Sequence, residues 1–230
     1  MISNEIVTYS RDKGLTHIPS ALSMSTYVEF LFENKIIVPY RDKIVLGKPF
    51  GSQTYYILWK KMGLLKDINN LSVGVKHNEI DFVDYGEETM GNALGVGSGI
   101  ALSNKGKRVW VNITDATLQM GSTLEAIQYI GHNCINNILL TIDNNNYQVT
   151  GNTNNVLTVE PVIKLAQNYN WHVITVNGHC KNTILKKLSN LDKIKKPILI
   201  NFLTKKGKGV KYMEDDPVKW HYKTIDSDEI

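Results

Sequence analysis

Four short, continuously apolar runs stand out in the second half of the chain: "RVWVNI" at 108–113, "NILLTI" at 137–142, "WHVITV" at 171–176 and "PILINF" at 197–202. Runs of this length without polar alternation predict strands covered on both faces. Between them lie "GSTLEAIQYIGHN", "VEPVIKLAQNY" and "CKNTILKKLSNLDKI", whose apolar positions follow a helical period. Strand and helix in alternation predict an α/β fold, a doubly wound, mainly parallel sheet with right-handed crossovers and helices on both faces. The first half reads as helical. Ala21–Phe32 is a helix with Ser20 as its N-cap, and Thr54–Leu65 is a second that ends near Gly63. Met90–Ser103 is a third, rich in small residues, in which Gly91, Gly95 and Gly99 are expected to form one smooth stripe. Such a stripe lets another helix approach closely, within the fold or across a subunit interface. No Pro/Gly-rich linker divides the chain. Residues 1–230 are therefore expected to form a single domain with an N-terminal helical region and a C-terminal tail at 204–230.

Charge changes this picture little. The chain has 26 basic and 22 acidic residues in 230, a net +4, and much of the excess sits in "KKLSNLDKIKK" and "KKGKGVK". Such runs read as solvated surface. No basic–aromatic interleaving suggests a nucleic-acid face. The two cysteines, Cys134 and Cys180, give neither a disulfide framework nor metal spacing. "MISNEIVTYSRDKG" is too polar for a signal peptide, and no apolar run reaches the roughly 18 residues of a membrane span. A soluble, cytoplasmic protein with no membrane partner is expected.

Candidate chemistry follows from the fold. In open parallel sheets, ligands bind beyond the carboxyl ends of the strands. Asp115 lies just past "RVWVNI" and Asn145 just past "NILLTI", 30 residues apart, about one strand–helix–strand unit. Consecutive parallel strands would aim both side chains at one crevice. A carboxylate and an amide oxygen suit Mg²⁺ or Ca²⁺, with a backbone carbonyl, water and ligand phosphates completing the shell. Spacing alone leaves a second reading open, in which both residues only cap the following segments.

The chain resembles the thiamine-diphosphate enzymes of the transketolase type. "TDATLQMGSTLEA" is similar to their Gly-Asp-Gly segment, and "IDNNNYQVTG" to the Asp-Asn segment that follows about thirty residues later. "THIPSALSMSTYVEFLF" resembles the family's opening helix, and "RDKIVLGKPFGSQTYYILWKKMGLL" its Ser-Lys-Gly-His stretch. "ETMGNALGVGSGIALS" resembles the Thr-Gly-Ser-Leu-Gly-Gln-Gly helix, "ITVNGHC" the Val-Asp-Gly-His-Asp strand end, and "KKGKGVKYMEDDPVKWHYK" the Lys-Gly-Lys-Gly-Val…Trp-His run of two-subunit transketolases. The similarities occur in family order over about 200 residues.

The resemblance implies roles. Asp115, the Asn145 side chain and the Tyr147 carbonyl would ligate a divalent cation that bridges the diphosphate of thiamine diphosphate. Ala116 would lie against the diphosphate, Val149 would prop the bent cofactor, and Met90 and Glu88 would flank the aminopyrimidine. His17, His77 and His221 would line the cofactor and sugar channel as catalytic residues. The chain also departs from the family. Thr114 and Ala116 replace the glycines beside the aspartate, Phe50 replaces a histidine, Met120 a glutamate and Glu88 a glycine. The resemblance covers only the diphosphate-binding part of a transketolase. It implies a partner chain with the pyrimidine-binding domain and its cofactor-activating glutamate, an α₂β₂ assembly, and small sugar substrates. The expected activity is transfer of a two-carbon ketol unit from a ketose to an aldehyde or ketone. The alternatives are a thiamine enzyme that builds a branched or unusual sugar, and a non-catalytic homologue with a structural or regulatory role.

Overall fold

A computed structural model describes residues 2–71 and 73–225, so the last five residues of the expected tail lie outside the described residues. The strands are β1 (Lys43–Leu46), β2 (Tyr85–Gly86), β3 (Val109–Thr114), β4 (Ile138–Asn144), β5 (Tyr147–Gln148), β6 (Gly151–Asn152), β7 (His172–Asn177) and β8 (Ile198–Leu203). Six of them form one sheet in the order β2-β1-β3-β4-β8-β7, and every pairing in it is parallel. β5 and β6 form a small antiparallel hairpin. The helices are α1 (Ser3–Asp12), α2 (Ile18–Glu33), α3 (Gln53–Lys61), α4 (Ala93–Ser103), α5 (Gly121–His132), α6 (Thr153–Val156), α7 (Glu160–Asn168), α8 (Lys181–Leu188) and α9 (Lys211–Asp215). Among the described residues, no helix is long and apolar enough to cross a membrane.

Successive strand side chains point to opposite faces, which divides the core in two. Ile44, Leu46, Trp110, Leu139, Ile200 and Phe202 pack against α1, α2, α3 and α8. Val45, Val109, Val111, Ile113, Leu140, Ile142 and Leu199 pack against α4, α5 and α7. Helix α2 is buried from Ile18 to Phe32, because the sheet lies on one side and other helices on the rest. A polar network lies inside this first core. Asn112 accepts from Tyr27 Oη at 3.0 Å and from Thr141 Oγ1 at 2.8 Å, and donates to Tyr55 Oη. Trp110 Nε1 donates to Thr141 Oγ1 at 2.8 Å. Each of these buried polar groups thereby finds a partner.

Several expectations are corrected. Strand β7 is not covered on both faces: Ile174 and Val176 are buried while His172, Thr175 and Asn177 are exposed. It is one edge of the sheet, and α7 covers its second face only in part: Val173 there is half-buried against the second core, while Thr175 and Asn177 meet solvent. Ser20 is not the N-cap of α2 but lies buried within it. His17 is the N-cap, in the left-handed region at φ 60°, with Pro19 in the first turn. Helix α4 begins at Ala93, so Gly91 is not part of a helical stripe. It has φ 125°, and a methyl group there would meet Ser122 Oγ at 3.0 Å. Gly97 faces inward, 2.7 Å from Val111 Cγ2 by the same test, while Gly95 and Gly99 face open space.

Candidate functional site

The carboxyl ends of β3 and β4 lie side by side, with Thr114 paired to Asp143. The chain leaves β3 through a 3-10 turn that begins at Asp115. It leaves β4 through Asn145 and then Asn146, whose φ of 65° turns the backbone back toward Asp115. Asp115 is fully buried. Its Oδ1 accepts from the Ala116 N–H at 2.8 Å and from Thr114 Oγ1 at 2.9 Å. Its Oδ2 accepts from the Asn146 N–H at 2.8 Å and from Thr153 Oγ1 at 3.3 Å. Among the described residues no cationic side chain pairs with it. Burial, and then the nearby Asp143 charge, push its pKa up to about 6 against these hydrogen bonds.

Asp143 is the opposite case. Also fully buried, it accepts from Lys48 Nζ at 2.5 Å, Ser23 Oγ at 2.5 Å, Thr204 Oγ1 at 2.6 Å and Asn145 Nδ2 at 2.9 Å. Burial alone would raise its carboxyl, but Lys48 and the hydroxyls hold it below the ordinary carboxylate range. The bond from Asn145 Nδ2 turns the amide so that Oδ1 faces Tyr147, whose N–H it accepts at 3.0 Å. Lys48 also donates to the Ser20 carbonyl at 2.7 Å.

A cavity of about 320 Å³ opens above these groups. Its walls hold His17, Met90, Glu88, Ala116, Asn145, Tyr147, Val149 and His221 from the sequence-derived set, together with Lys48, Phe50, Lys206 and Tyr222. Asp115 lies beneath the wall. His77 is not brought to this cavity. It is exposed on the segment before β2, with its ring 5.9 Å from that of Tyr85. Met120 packs toward Gly91, and Glu125 lies on the exposed face of α5, in a groove it shares with Gly95 of α4.

An aromatic cluster forms one wall. The His17 ring stacks on Phe50 at 4.4 Å and meets the His221 and Tyr222 rings edge-on, each at 4.9 Å. Burial, followed by the charges of Lys206 and Lys48, lowers His17 to about 4. Burial, followed by Lys206, His17 and Lys48, lowers His221 to about 3. Both imidazoles are neutral at pH 7. Lys206 is itself buried, and its Nζ lies 2.8 Å from His221 Nδ1 and 3.3 Å from the Tyr147 carbonyl. Burial, then Lys48, lowers its pKa to about 8. Lys206 corrects the reading of "KKGKGVK" as solvated surface: Lys205 and Lys208 are exposed, but Lys206 points inward.

Sequence reasoning missed Lys48, Asp143, Thr153 and Lys206. The first two carried a signal, since "GKPF" and "IDNN" lie at strand ends, but nothing in the spacing shows that the ammonium and the carboxylate meet. Lys206 lies in the run that resembles Lys-Gly-Lys-Gly-Val…Trp-His, but nothing in that run distinguishes it from Lys205 and Lys208, which are exposed.

A parallel α/β sheet with hard-oxygen donors and buried ammonium groups at adjoining strand ends defines a phosphate-ligand fold of the cofactor-binding class. Residues 98–230 match the family model described as transketolase, thiamine diphosphate binding domain, and the chain belongs to that family. It is 27% identical over 195 residues to one of the named subunits of the apulose-4-phosphate transketolase of Phocaeicola vulgatus, covering 79% of this chain and 69% of that one. It is 25% identical over 200 residues to the transketolase of Rattus norvegicus, covering 81% of this chain and 32% of the relative, so it spans about a third of that protein's length. The transketolase structure from Campylobacter jejuni superposes with a TM-score of 0.79 at 20% identity, over 96% of this chain and 38% of that one. That likeness shows the fold.

Proposed function

We propose that this chain is the diphosphate-binding half of a two-chain, thiamine diphosphate-dependent transketolase-like transferase. One observation carries the reading. Asp115, Asn145 and the Tyr147 carbonyl adjoin at two strand ends, and two buried lysines stand beside them. The fit to a metal–diphosphate group is chemical. Asp115 is a buried acid with no cationic partner among the described residues, and it adjoins neutral oxygen donors, as a hard divalent cation requires. Lys48 and Lys206 supply positive charge for phosphate oxygens.

Asp115, Asn145 and Tyr147 would hold Mg²⁺, or Ca²⁺ in its place, and Ala116 would lie against the diphosphate. Met90, Val149 and Glu88 would border the rest of the cofactor. When bound, thiamine diphosphate supplies the electron sink for breaking and forming a carbon–carbon bond. This chain binds and orients. His17 and His221, neutral and lining the cavity, can hydrogen-bond a sugar's oxygens. His77 can join them only through movement of its segment or through assembly. A partner chain carrying the pyrimidine-binding domain would close the cavity in an α₂β₂ assembly in the cytoplasm. The Phocaeicola vulgatus relative is named as one subunit of its transketolase, which supports a two-chain organisation. The reaction is transfer of a two-carbon unit from a ketose donor to an aldehyde or ketone.

A second reading keeps the cofactor and changes the sugar. Phe50 covers one face of His17 and cannot donate a hydrogen bond, which favours a less hydroxylated or branched substrate at that wall. Titration calorimetry of the assembled chains with thiamine diphosphate, with and without Mg²⁺, tests the main reading. Magnesium-dependent binding that Asp115→Ala abolishes is expected. Binding that ignores both would overturn it. A panel of ketose donors separates the two readings.

A further inference from the structure

We propose that Lys206 is a positioning residue that locks His221 into a single tautomer, with its proton on Nε2 and its Nδ1 lone pair consumed. The cavity then meets a fixed hydrogen-bond donor that takes a carbonyl or hydroxyl oxygen of the substrate. The inference rests on the functional reading only in treating the cavity as a substrate pocket.

The argument starts from donors and acceptors. Lys206 Nζ lies 2.8 Å from His221 Nδ1 and 3.3 Å from the Tyr147 carbonyl oxygen. An ammonium group has three donors and no acceptor, so Nδ1 has to accept. In a neutral imidazole the other nitrogen then carries the proton. An imidazolium would set an N–H against the ammonium, donor facing donor, so the same contact keeps His221 neutral. The remaining neighbours do not compete for Nδ1. The His17 ring meets His221 edge-on at 4.9 Å, and the Tyr222 ring is tilted at the same distance. The backbone holds the residue at both ends. The His221 carbonyl accepts from the His17 N–H at 3.1 Å, and its own N–H donates to the Val218 carbonyl at 3.1 Å.

Burial adds to this rigidity. Lys206 is 2% exposed and His221 9% exposed, so water has little access to exchange the contact. His17 contrasts with His221. Its Nδ1 lies 2.8 Å from Thr16 Oγ1, a hydroxyl that can donate or accept, so nothing pins its proton. The cavity therefore holds one fixed donor and one adaptable imidazole. His221 can stabilise charge that develops on an oxygen, while removing a proton from a hydroxyl falls to a different group.

The test is nitrogen NMR on the full-length ¹⁵N-labelled chain at pH 7, without cofactor, substrate or partner. His221→Gln assigns the signals. The wild type is expected to show a protonated, pyrrole-type Nε2 and an unprotonated, pyridine-type Nδ1. Lys206→Met is expected to shift the proton to Nδ1 in at least part of the population, and Lys206→Arg, which keeps the donors, to retain the wild-type pattern. A wild-type spectrum with the proton on Nδ1, or with both nitrogens protonated, would overturn the proposal. So would a folded Lys206→Met chain whose His221 pattern is unchanged. Should circular dichroism show that Lys206→Met does not fold, the wild-type and Lys206→Arg spectra decide alone. No cofactor enters the measurement, so its outcome is independent of whether thiamine diphosphate binds.

Discussion

Two carboxylates at adjoining strand ends, both fully buried, titrate in opposite directions. Asp143 is matched by Lys48 and three further donors, whereas Asp115 has hydrogen bonds but forms no ion pair among the described residues. With its pKa raised from 3.8 to about 6, the native chain holds a proton on Asp115 that the unfolded chain has released. Stability from this group therefore falls as pH rises between those values, by up to about 3 kcal/mol. The denaturation free energy of the wild type relative to Asp115→Asn is expected to drop across pH 4–7 in metal-free buffer. A difference independent of pH would show that Asp115 does not titrate there. Cation binding has the reverse dependence, because the proton competes for the same oxygens. Below about pH 6, affinity for magnesium–diphosphate is expected to fall about tenfold per pH unit, as calorimetry can measure. Phe50 offers a second test. Replacing it with histidine restores a donor beside His17. With a suitable partner chain, the kcat/KM ratio of hydroxylated, phosphorylated ketoses to other donors is then expected to rise about tenfold, the order of one new hydrogen bond. An unchanged ratio in a folded variant would remove Phe50 from substrate recognition.

At the scale of elements, α4 shows how one type of residue serves two ends. Gly97 lets the helix lie against β3, since a methyl group there would stand 2.7 Å from Val111 Cγ2. Gly95 meets nothing, and it borders an open groove beside α5 lined also by Ser98, Ala126 and Tyr129. Gly97→Leu is expected to destabilise the chain by about 1–3 kcal/mol or more through overpacking. Gly95→Leu is expected to leave the isolated chain folded by circular dichroism, with a melting temperature equal to or slightly above the wild type's, while weakening its assembly with the partner chain. Gel filtration of the two chains together checks this. Normal assembly of Gly95→Leu would show that the groove is ordinary surface.

For the whole molecule, four of the large apolar side chains that meet solvent gather on the strand-end face. Phe50 is 40% exposed, Met90 38%, Val149 47% and Tyr222 59%, all around one cavity. Grouped exposure of this kind marks a surface completed by a ligand or partner. The purified chain is expected to show no transferase turnover alone and to gain it with a partner that supplies the pyrimidine-binding domain. On assembly, hydrogen exchange should slow in the segments around 88–92 and 145–152. Turnover by the single chain would overturn the two-chain reading.

The strands β3, β4 and β8 and the helices α5 and α7 were legible in the sequence, because burial on both faces leaves a continuous apolar run and burial along one stripe leaves a helical period. So were Asp115 and Asn145, since a polar residue where an apolar strand stops lies at the ligand-binding edge of any parallel sheet. Strand β1 was not legible. "KIVL" is only four residues long, and its burial depends on β2 and β3 lying beside it. Helix α1 was missed for a related reason: its sequence is polar, and only Ile6 and Ser10 within it are buried against its neighbours. The partners of the site acids were also decided in three dimensions. Lys48 reaches Asp143 across 95 positions and Lys206 reaches His221 across 15. A lysine's residue type says that it carries an ammonium group, whereas only the packing around it says whether that charge faces water, a carboxylate or an imidazole. Local patterns determined the layers and the ends of the strands. Which charges were paired, which acid formed no ion pair and which proton was held in place depended on contacts between segments far apart in the chain, where no local period records them.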